Sequence, residues 1–369
     1  MGRGGPALVK DERPTDDRLV RVLKTLAPGT ALREGLENVL RANSGALIVV
    51  GDTPQVLELV DGGFRIDSDF TPASLYELAK MDGAILLSAD ARRILYANAQ
   101  LVPDPTLPSL ETGTRHRTAE RVARQTGELV IAISQRRHII TVYKGTLRYA
   151  LPDVSVILTK ANQAVQTLEK YKASLDQALV NLSALEFEDL VTLSDVAAAV
   201  YRAETLLRVA AEVERYIVEL GTEGRLVKLQ TEGLVAAVAQ ERLDIIRDYL
   251  RPGESRSVED VRSHLSSAGV DELVDPALVG RLLGYGAGAA VSASDLSLAP
   301  RGYRLLRRLP RLPGPVLENL VAHFGALQDI LNATTEELDV VEGIGEVRAR
   351  AIRDGLRRLR EQVLLDRHV

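Results

Sequence analysis

Two short stretches carry residue types suited to phosphate chemistry: Gly113-Thr114-Arg115-His116-Arg117-Thr118 and, upstream of it, Asp82-Gly83-Ala84. The first leads into a segment with Ala119, Val122 and Ala123 on one face and Gly127 closing it, a spacing that predicts a helix. Guanidinium and imidazole groups at a helix start, beside unpaired backbone N–H groups, make a cradle for a phosphate. Arg115 and Arg117 cannot share one phosphate from regular helix, because residues two apart point about 200° away from each other. Either Arg115 lies in the turn that opens the helix, or the two arginines serve different phosphates. Each stretch also has a plain structural reading. Asp-Gly is a common hairpin dipeptide, and Asp61-Gly62-Gly63 reads as a turn because no apolar strand stands as closely behind it. Arg-His-Arg by itself is commonly a solvated basic surface.

The surrounding sequence supplies strands and helices to position these residues. Residues 18–42 read as helices broken near Ala27-Pro28-Gly29, with Leu32, Leu36, Val39 and Leu40 on one face, preceded by a mobile leader up to about residue 17. Ala46 to Val50 is a short unbroken apolar run of the kind found in a central strand. Val56 to Val60, and Phe64 with Ile66, predict further strands around the Asp61 turn. Thr71 caps a helix that begins at Pro72 and runs to about Lys80, delivering the chain to Asp82. Ala84 to Ser88 is a second core strand, Ala89 to Arg92 a hairpin turn, and Ile94 to Ala97 the return. Leu101 to Leu110, with three prolines, reads as a loop. After the cradle helix come strands at Leu129 to Ser134, Ile139 to Tyr143 and Leu147 to Leu151, which leave Ser134 near the cradle. Strands joined by tight turns predict an α/β domain with a mixed sheet flanked by helices, not a doubly wound parallel one.

Beyond Leu151-Pro152-Asp153 the pattern turns helical as far as about residue 250. Ala161, Val165, Leu168, Lys172, Leu175, Leu179 and Leu182 form a heptad seam with one polar interruption. The seam suits packing inside a bundle or, alternatively, a self-association spine. Residues 252–300 read as shorter helices with Gly-rich breaks. Near the end, Thr334 and Glu337 form a capping box, and Gly343-Ile344-Gly345 precedes a helix carrying Val347, Ala351, Ile352, Leu356 and Leu359. Two glycines around an aliphatic residue let successive N–H groups face outward at a helix start, a nest for a phosphate. Leu312-Pro313-Gly314-Pro315-Val316 looks like a degenerate copy, with a proline in place of the second glycine. Arg301, Arg304, Arg307, Arg308 and Arg311 precede the pair, and Arg348, Arg350, Arg353, Arg357 and Arg358 follow, as candidates for salt-sensitive phosphate contacts.

Composition sets the bounds. With 369 residues, 46% apolar and 26% charged, the chain has room for two or three domains, read as 1–150, 151–300 and 301–369. The absence of cysteine excludes disulfides and thiolate metal sites. No apolar run approaches the ~20 residues of a membrane span, and a polar start argues against a signal peptide, so a cytoplasmic location and no membrane partner are expected. Residues 1–150 carry 20 Lys/Arg against 18 Asp/Glu, residues 151–300 carry 14 against 23, and residues 301–369 carry 12 against 10. A polyanion should therefore meet the ends of the chain and avoid its middle. His138, His264, His323 and His368 have no partners at ligand spacing, and no Gly-x-x-x-x-Gly-Lys-Ser/Thr loop is present.

Taken together, Asp82-Gly83-Ala84, Gly113 to Arg117 and Gly343-Ile344-Gly345 resemble, in order and spacing, the pattern of the DisA family: diadenylate cyclases with a helical spine and a C-terminal helix-hairpin-helix domain. The resemblance spans nearly the whole chain. It implies condensation of two ATP molecules into cyclic di-AMP with release of two pyrophosphates, across two facing cyclase domains. In-line phosphoryl transfer of this kind depends on positioning and charge neutralisation more than on covalent help. By the same resemblance Asp82 binds Mg²⁺ or Mn²⁺ or helps deprotonate the 3′-hydroxyl. Arg115, His116 and Arg117 hold the triphosphate, and Gly83 and Ala84 let backbone approach the nucleotide. Gly113, Thr114 and Thr118 line the phosphates, Leu101 packs on adenine, and Ser134 stands nearby. Gln135 and Arg136 follow that serine where single-domain cyclases tend to carry acidic residues, which counts against a second metal carboxylate. Gly343, Ile344, Gly345, Arg348 and Arg350 would grip double-stranded or branched DNA, which lowers cyclase output, and the assembly would be a homo-octamer. The alternative is a nucleotide-sensing DNA-binding scaffold without cyclase activity. A nuclease is disfavoured by the lack of a carboxylate cluster suited to two metals.

Overall fold

The structure, a computed structural model, describes residues 17–286 and 295–367. The expected leader, part of the Gly-rich breaks before residue 300, and His368 lie outside the described residues. The chain divides into two compact units, one from residues up to 162 with 214–228, the other from 163–213 with 229 onward.

The first unit opens with α1 (Asp17–Thr25) and α2 (Ala31–Arg41), separated by a turn in which Gly29 adopts φ +94°. The Thr30 side chain caps α2 by accepting the Arg33 N–H. There follow β1 (Ala46–Val50), α3 (Pro54–Leu57), β2 (Val60–Asp61), β3 (Phe64–Asp69) and α4 (Pro72–Leu78). Next come β4 (Ala84–Leu87), β5 (Arg93–Leu101), α5 (Thr114–Thr126), β6 (Leu129–Ser134), β7 (Ile139–Lys144) and β8 (Leu147–Leu151). The sheet order is β2-β5-β4-β1-β6-β7-β8, with β3 also paired to β5. Among the pairs formed, β1–β4 is parallel and the others are antiparallel, so the sheet is mixed, as expected.

Both faces of the central strands are covered, which is why their sequences are unbroken apolar runs. Ile48, Val50, Ile85, Leu87 and Ile131 pack with Val22, Leu36 and Leu75 from α1, α2 and α4. Val49, Leu86, Val130 and Ala132 pack on the other face with Ala119, Val122 and Ala123 of α5. Each buried Val, Leu or Ile contributes about 1.5–3 kcal/mol, so α5 is anchored by the stripe that its sequence displays.

Two expectations for this unit need correction. Val56 to Val60 is not a strand: Thr53 and Pro54 stand at the N-cap and first-turn positions of α3, and only Val60–Asp61 pairs, with β5. The return strand β5 does not end at Ala97 but continues to Leu101, with its register shifting and Asn98 at φ +51°. Polar Asn98 and Gln100 hid that extension.

In the second unit, α6 (Val154–Glu188) and α7 (Leu193–Leu220) both cross the unit boundary. They are followed by α8 (Arg225–Val235), which also crosses the boundary, and by α9 (Val238–Tyr249), α10 (Val258–Ser267), α11 (Val270–Leu273) and α12 (Pro276–Leu282). Leu168 and Leu175 of the heptad seam pack with Ala203, Leu206 and Val238, so intrachain bundle packing occupies these positions.

The C-terminal part comprises α13 (Tyr303–Arg307), α14 (Gly314–Phe324), α15 (Leu327–Asn332), α16 (Thr335–Asp339) and α17 (Glu346–Asp366), gathered around one apolar core. The Thr334–Glu337 capping box forms as expected. Val347 and Ala351 are exposed, however, because α17 buries the stripe Ala349, Ile352, Leu356 and Val363 on its other side. Nor are all the upstream arginines available to a polyanion. Arg304 is fully buried, forking onto Glu186 and donating to Ser183 Oγ at 3.0 Å. Arg307 is bidentate on Asp244.

Candidate active site

Strand register brings the first-unit residues to one place. β1 and β4 run parallel with Leu47 opposite Ala84, while β5 and β6 run against them, with Ala99 opposite Ala84 and Ile133 opposite Ala46. Gly45, Asp82-Gly83, Leu101 and Ser134 therefore emerge at the same end of the sheet. The start of α5 lies there too, for the Arg115 guanidinium sits against Gly45 and beside the Ile133 carbonyl. A Cβ on Gly45 would lie 2.9 Å from Arg115 Cζ and closer still to Nη1. Gly83 has φ +96°, and a Cβ there would strike the Asn98 carbonyl carbon and the Ala99 oxygen at 2.8 and 2.9 Å. Only glycine fits that turn.

Two opposite charges stand unpaired at this end. Asp82 is exposed, Arg115 is half-buried, and neither has a hydrogen-bond or ion-pair partner among the described residues. Neighbouring charges are already engaged: Arg121 donates to the Leu107 carbonyl at 2.9 Å, Arg124 pairs with Glu120 at 2.8 Å, and Arg148 pairs with Glu111 at 2.6 Å. Gly113 caps α5 without a side-chain bond, and Gly113 and Thr114 are exposed, so the first-turn N–H groups and the positive end of the helix are open to an anion. Arg115 is the second residue of α5, and Arg117 points elsewhere, making long 3.4 Å bonds to the Glu111 and Thr112 carbonyls. The angular argument from the sequence thus holds in the structure.

His116 is half-buried, edge-on to Tyr143 with ring centroids 6.5 Å apart. Burial, helped by Arg137, Arg115 and Arg148, holds its pKa below the ordinary imidazole value against the opposing charge of Glu111. A neutral ring at pH 7 follows, able to donate one hydrogen bond and accept another. Thr118 is half-buried one turn along α5, Ala84 is fully buried at the start of β4, and Ser134 Oγ accepts the Arg137 N–H at 3.2 Å. Leu101 is 8% exposed and belongs to the core, so it offers only an edge to a base.

The sequence reading missed Gly45, Glu111, Tyr143 and Glu120. Glu120 had a signal: it is polar, 5% exposed and neighbours the apolar stripe of α5, where it accepts from Ser109 Oγ at 2.6 Å and the Leu110 N–H at 3.1 Å. Gly45 had only its place before the first core strand.

Among the described residues no cluster of three or more His, Cys, Asp or Glu could hold a metal. Asp82, exposed and unpaired, instead suits a hard divalent cation bound by one carboxylate, with phosphate oxygens and water supplying the other ligands.

In the second unit, Gly343 adopts φ +85° with its α-carbon face against Val316, Ile344 is buried, and Gly345 caps α17 without a side-chain bond. Arg348 donates to the Gly343 carbonyl and Arg350 pairs with Glu346, both from exposed positions. No helix among the described residues is long and apolar enough to cross a membrane.

A family model described as DisA bacterial checkpoint controller nucleotide-binding matches residues 33–147, and one for the DisA bacterial checkpoint controller linker region matches residues 151–292. The DNA integrity scanning protein DisA of Symbiobacterium thermophilum is 63% identical over 95% of this chain and 98% of its own length. Its counterpart from Carboxydothermus hydrogenoformans is 58% identical over 94% and 98%. The chain belongs to the DisA family and is a diadenylate cyclase, a nucleotidyltransferase.

Proposed function

We propose that the chain condenses two ATP molecules into cyclic di-AMP, releasing two pyrophosphates, at the sheet end where α5 begins. The observation that carries this reading is the placement at one sheet end of a carboxylate, Asp82, and a guanidinium, Arg115, both unpaired among the described residues, with the open N-terminus of α5. The first-turn N–H groups and Arg115 would hold phosphate oxygens and stabilise the charge that grows as pyrophosphate leaves. Arg117, whose present bonds are long, would serve a different phosphate oxygen. Neutral His116 would donate to a phosphate oxygen without adding charge. The glycine turn at Gly83 lets the nucleotide lie close to backbone. Mg²⁺ or Mn²⁺ held by Asp82 would neutralise phosphate charge and acidify the attacking 3′-hydroxyl. One such site holds one ATP, so two copies must face each other, each 3′-hydroxyl attacking the other's α-phosphate. Assembly, which we take to be octameric, is then a condition of activity.

The C-terminal hairpins are read as a backbone-gripping module for double-stranded and branched DNA, with cyclase output falling on binding. Gly343 and Gly345 leave the α17 terminus uncovered, and Arg348, Arg350, Arg353, Arg357 and Arg358 are exposed along α17. Incubation with ATP and Mg²⁺ or Mn²⁺, followed by mass analysis, tests the cyclase reading. Cyclic di-AMP is expected; binding of ATP with no cyclic product would instead leave a nucleotide-sensing scaffold.

A further inference from the structure

The segment that enters α5 is strapped to the helix it precedes. Between Leu101 and Gly113 the chain meets one side of α5 at successive rungs. Gln125 accepts the Asp104 N–H at 2.9 Å, Arg121 donates to the Leu107 carbonyl at 2.9 Å, Glu120 holds Ser109 and Leu110, and Arg117 reaches the Glu111 and Thr112 carbonyls. These residues recur every three to four positions, so one stripe of α5 holds the whole approach. The last rung is fastened differently. The Glu111 side chain turns away to the sheet, where one carboxylate oxygen accepts both the Tyr143 hydroxyl at 2.8 Å and Arg148 Nε at 2.6 Å. Its side chain is 9% exposed, against 50% for Arg148.

From this arrangement we propose that Glu111 is a positioning residue for the cyclase reaction: its carboxylate, clamped by Tyr143 and Arg148, fixes the Glu111–Gly113 backbone from which α5, Arg117 and His116 are set. The proposal rests on the site read above. Two features support it. Glu111 is two residues from the N-cap Gly113, so any shift of its backbone passes directly to the first-turn N–H groups. Tyr143 itself meets the edge of His116, so the clamp touches the site from two sides. The Arg148 and Tyr143 hydrogen bonds outweigh burial and keep Glu111 ionised, so the clamp is charge-assisted.

The test is steady-state kinetics of cyclic di-AMP formation by the full chain carrying Glu111→Gln, beside Tyr143→Phe, with thermal midpoints for each. In Glu111→Gln the amide keeps shape and can accept from Tyr143 but loses the ion pair. We expect kcat to fall about tenfold or more with KM for ATP changed by less than about threefold, since misplacement acts on the transition state. Tyr143→Phe, which keeps the ion pair, should lose less. The His116 ring provides a readout independent of turnover: Glu111 raises its pKa, so its NMR titration midpoint should fall further in Glu111→Gln. Unchanged kcat in both variants, or a loss that simply follows a lowered thermal midpoint, overturns the proposal. Should wild-type protein make no cyclic di-AMP, the cyclase reading fails and this proposal, which rests on it, falls with it.

Discussion

Placing a methyl group on Gly45 isolates the role of Arg115 without touching Arg115 itself. Gly45 has no left-handed backbone to lose, because it is absent from the positive-φ glycines, so alanine is conformationally acceptable there. The obstacle is the guanidinium: Arg115 Cζ has to retreat from 2.9 Å to beyond the 3.4 Å of ordinary contact, and Nη1 further. A displacement on the order of an ångström in a phosphate-holding group costs about 10²-fold in rate, or about 2.7 kcal/mol of transition-state stabilisation. Stability should hardly change. The alanine restricts the unfolded chain by about 0.4–1 kcal/mol in favour of folding, offset by a tight approach of 3.2 Å to the Ile133 carbonyl. Gly45→Ala should therefore show cyclic di-AMP production down about a hundredfold, with a thermal midpoint within a few degrees of wild type. Activity within twofold of wild type would mean that Arg115 keeps its working position without its seat against Gly45, and the penalty reasoned from that contact would be refuted.

Other consequences are equally open to measurement. Asp82→Asn should abolish cyclic di-AMP formation while leaving circular dichroism unchanged, since the carboxylate has no structural partner among the described residues; retained turnover would remove its role. Arg304→Met should cost about 3–5 kcal/mol in urea unfolding, because both side chains of the Arg304–Glu186 pair are 1% exposed and an uncompensated Glu186 remains buried. A loss below about 1 kcal/mol would contradict the buried tie that the geometry describes. His116 should titrate below 6.5 by NMR. A depressed folded pKa means that the unfolded chain binds the proton more readily, so this contribution is complete above 6.5 and is lost as pH falls below it; a midpoint above 6.5 would contradict the burial described. DNA affinity should fall steeply with salt, and neutralising Arg348 and Arg350 together should reduce the slope of log K against log salt by about two; salt-insensitive, sequence-dependent binding would contradict backbone gripping.

Much of this was legible from residue types alone. Unbroken runs such as Ala46 to Val50 and Leu129 to Ser134 marked strands buried on both faces, and Thr71-Pro72 marked a helix start, because these signals are local. The start and end of α5 were legible because Gly113, the stripe Ala119, Val122 and Ala123, and Gly127 are local signals. What escaped were features made by long-range approach. Gly45 matters only because Arg115 folds onto it, and Glu111 only because β7 and β8 bring Tyr143 and Arg148 to its side. Arginine spacing was misleading in the C-terminal part for the same reason. Arg304 and Arg307 look like free surface charge in sequence, yet Glu186 on a distant helix buries Arg304, and Arg307, though exposed, is engaged by Asp244.

If Asp82 and Arg115 serve one nucleotide, a structure with 3′-deoxy-ATP and Mg²⁺ will show it, since that analogue lacks the attacking hydroxyl and cannot react. The triphosphate should lie on the first turn of α5 with Arg115 on its oxygens and Asp82 within reach of the metal. A nucleotide bound elsewhere, touching neither side chain, would contradict the assignment of this site.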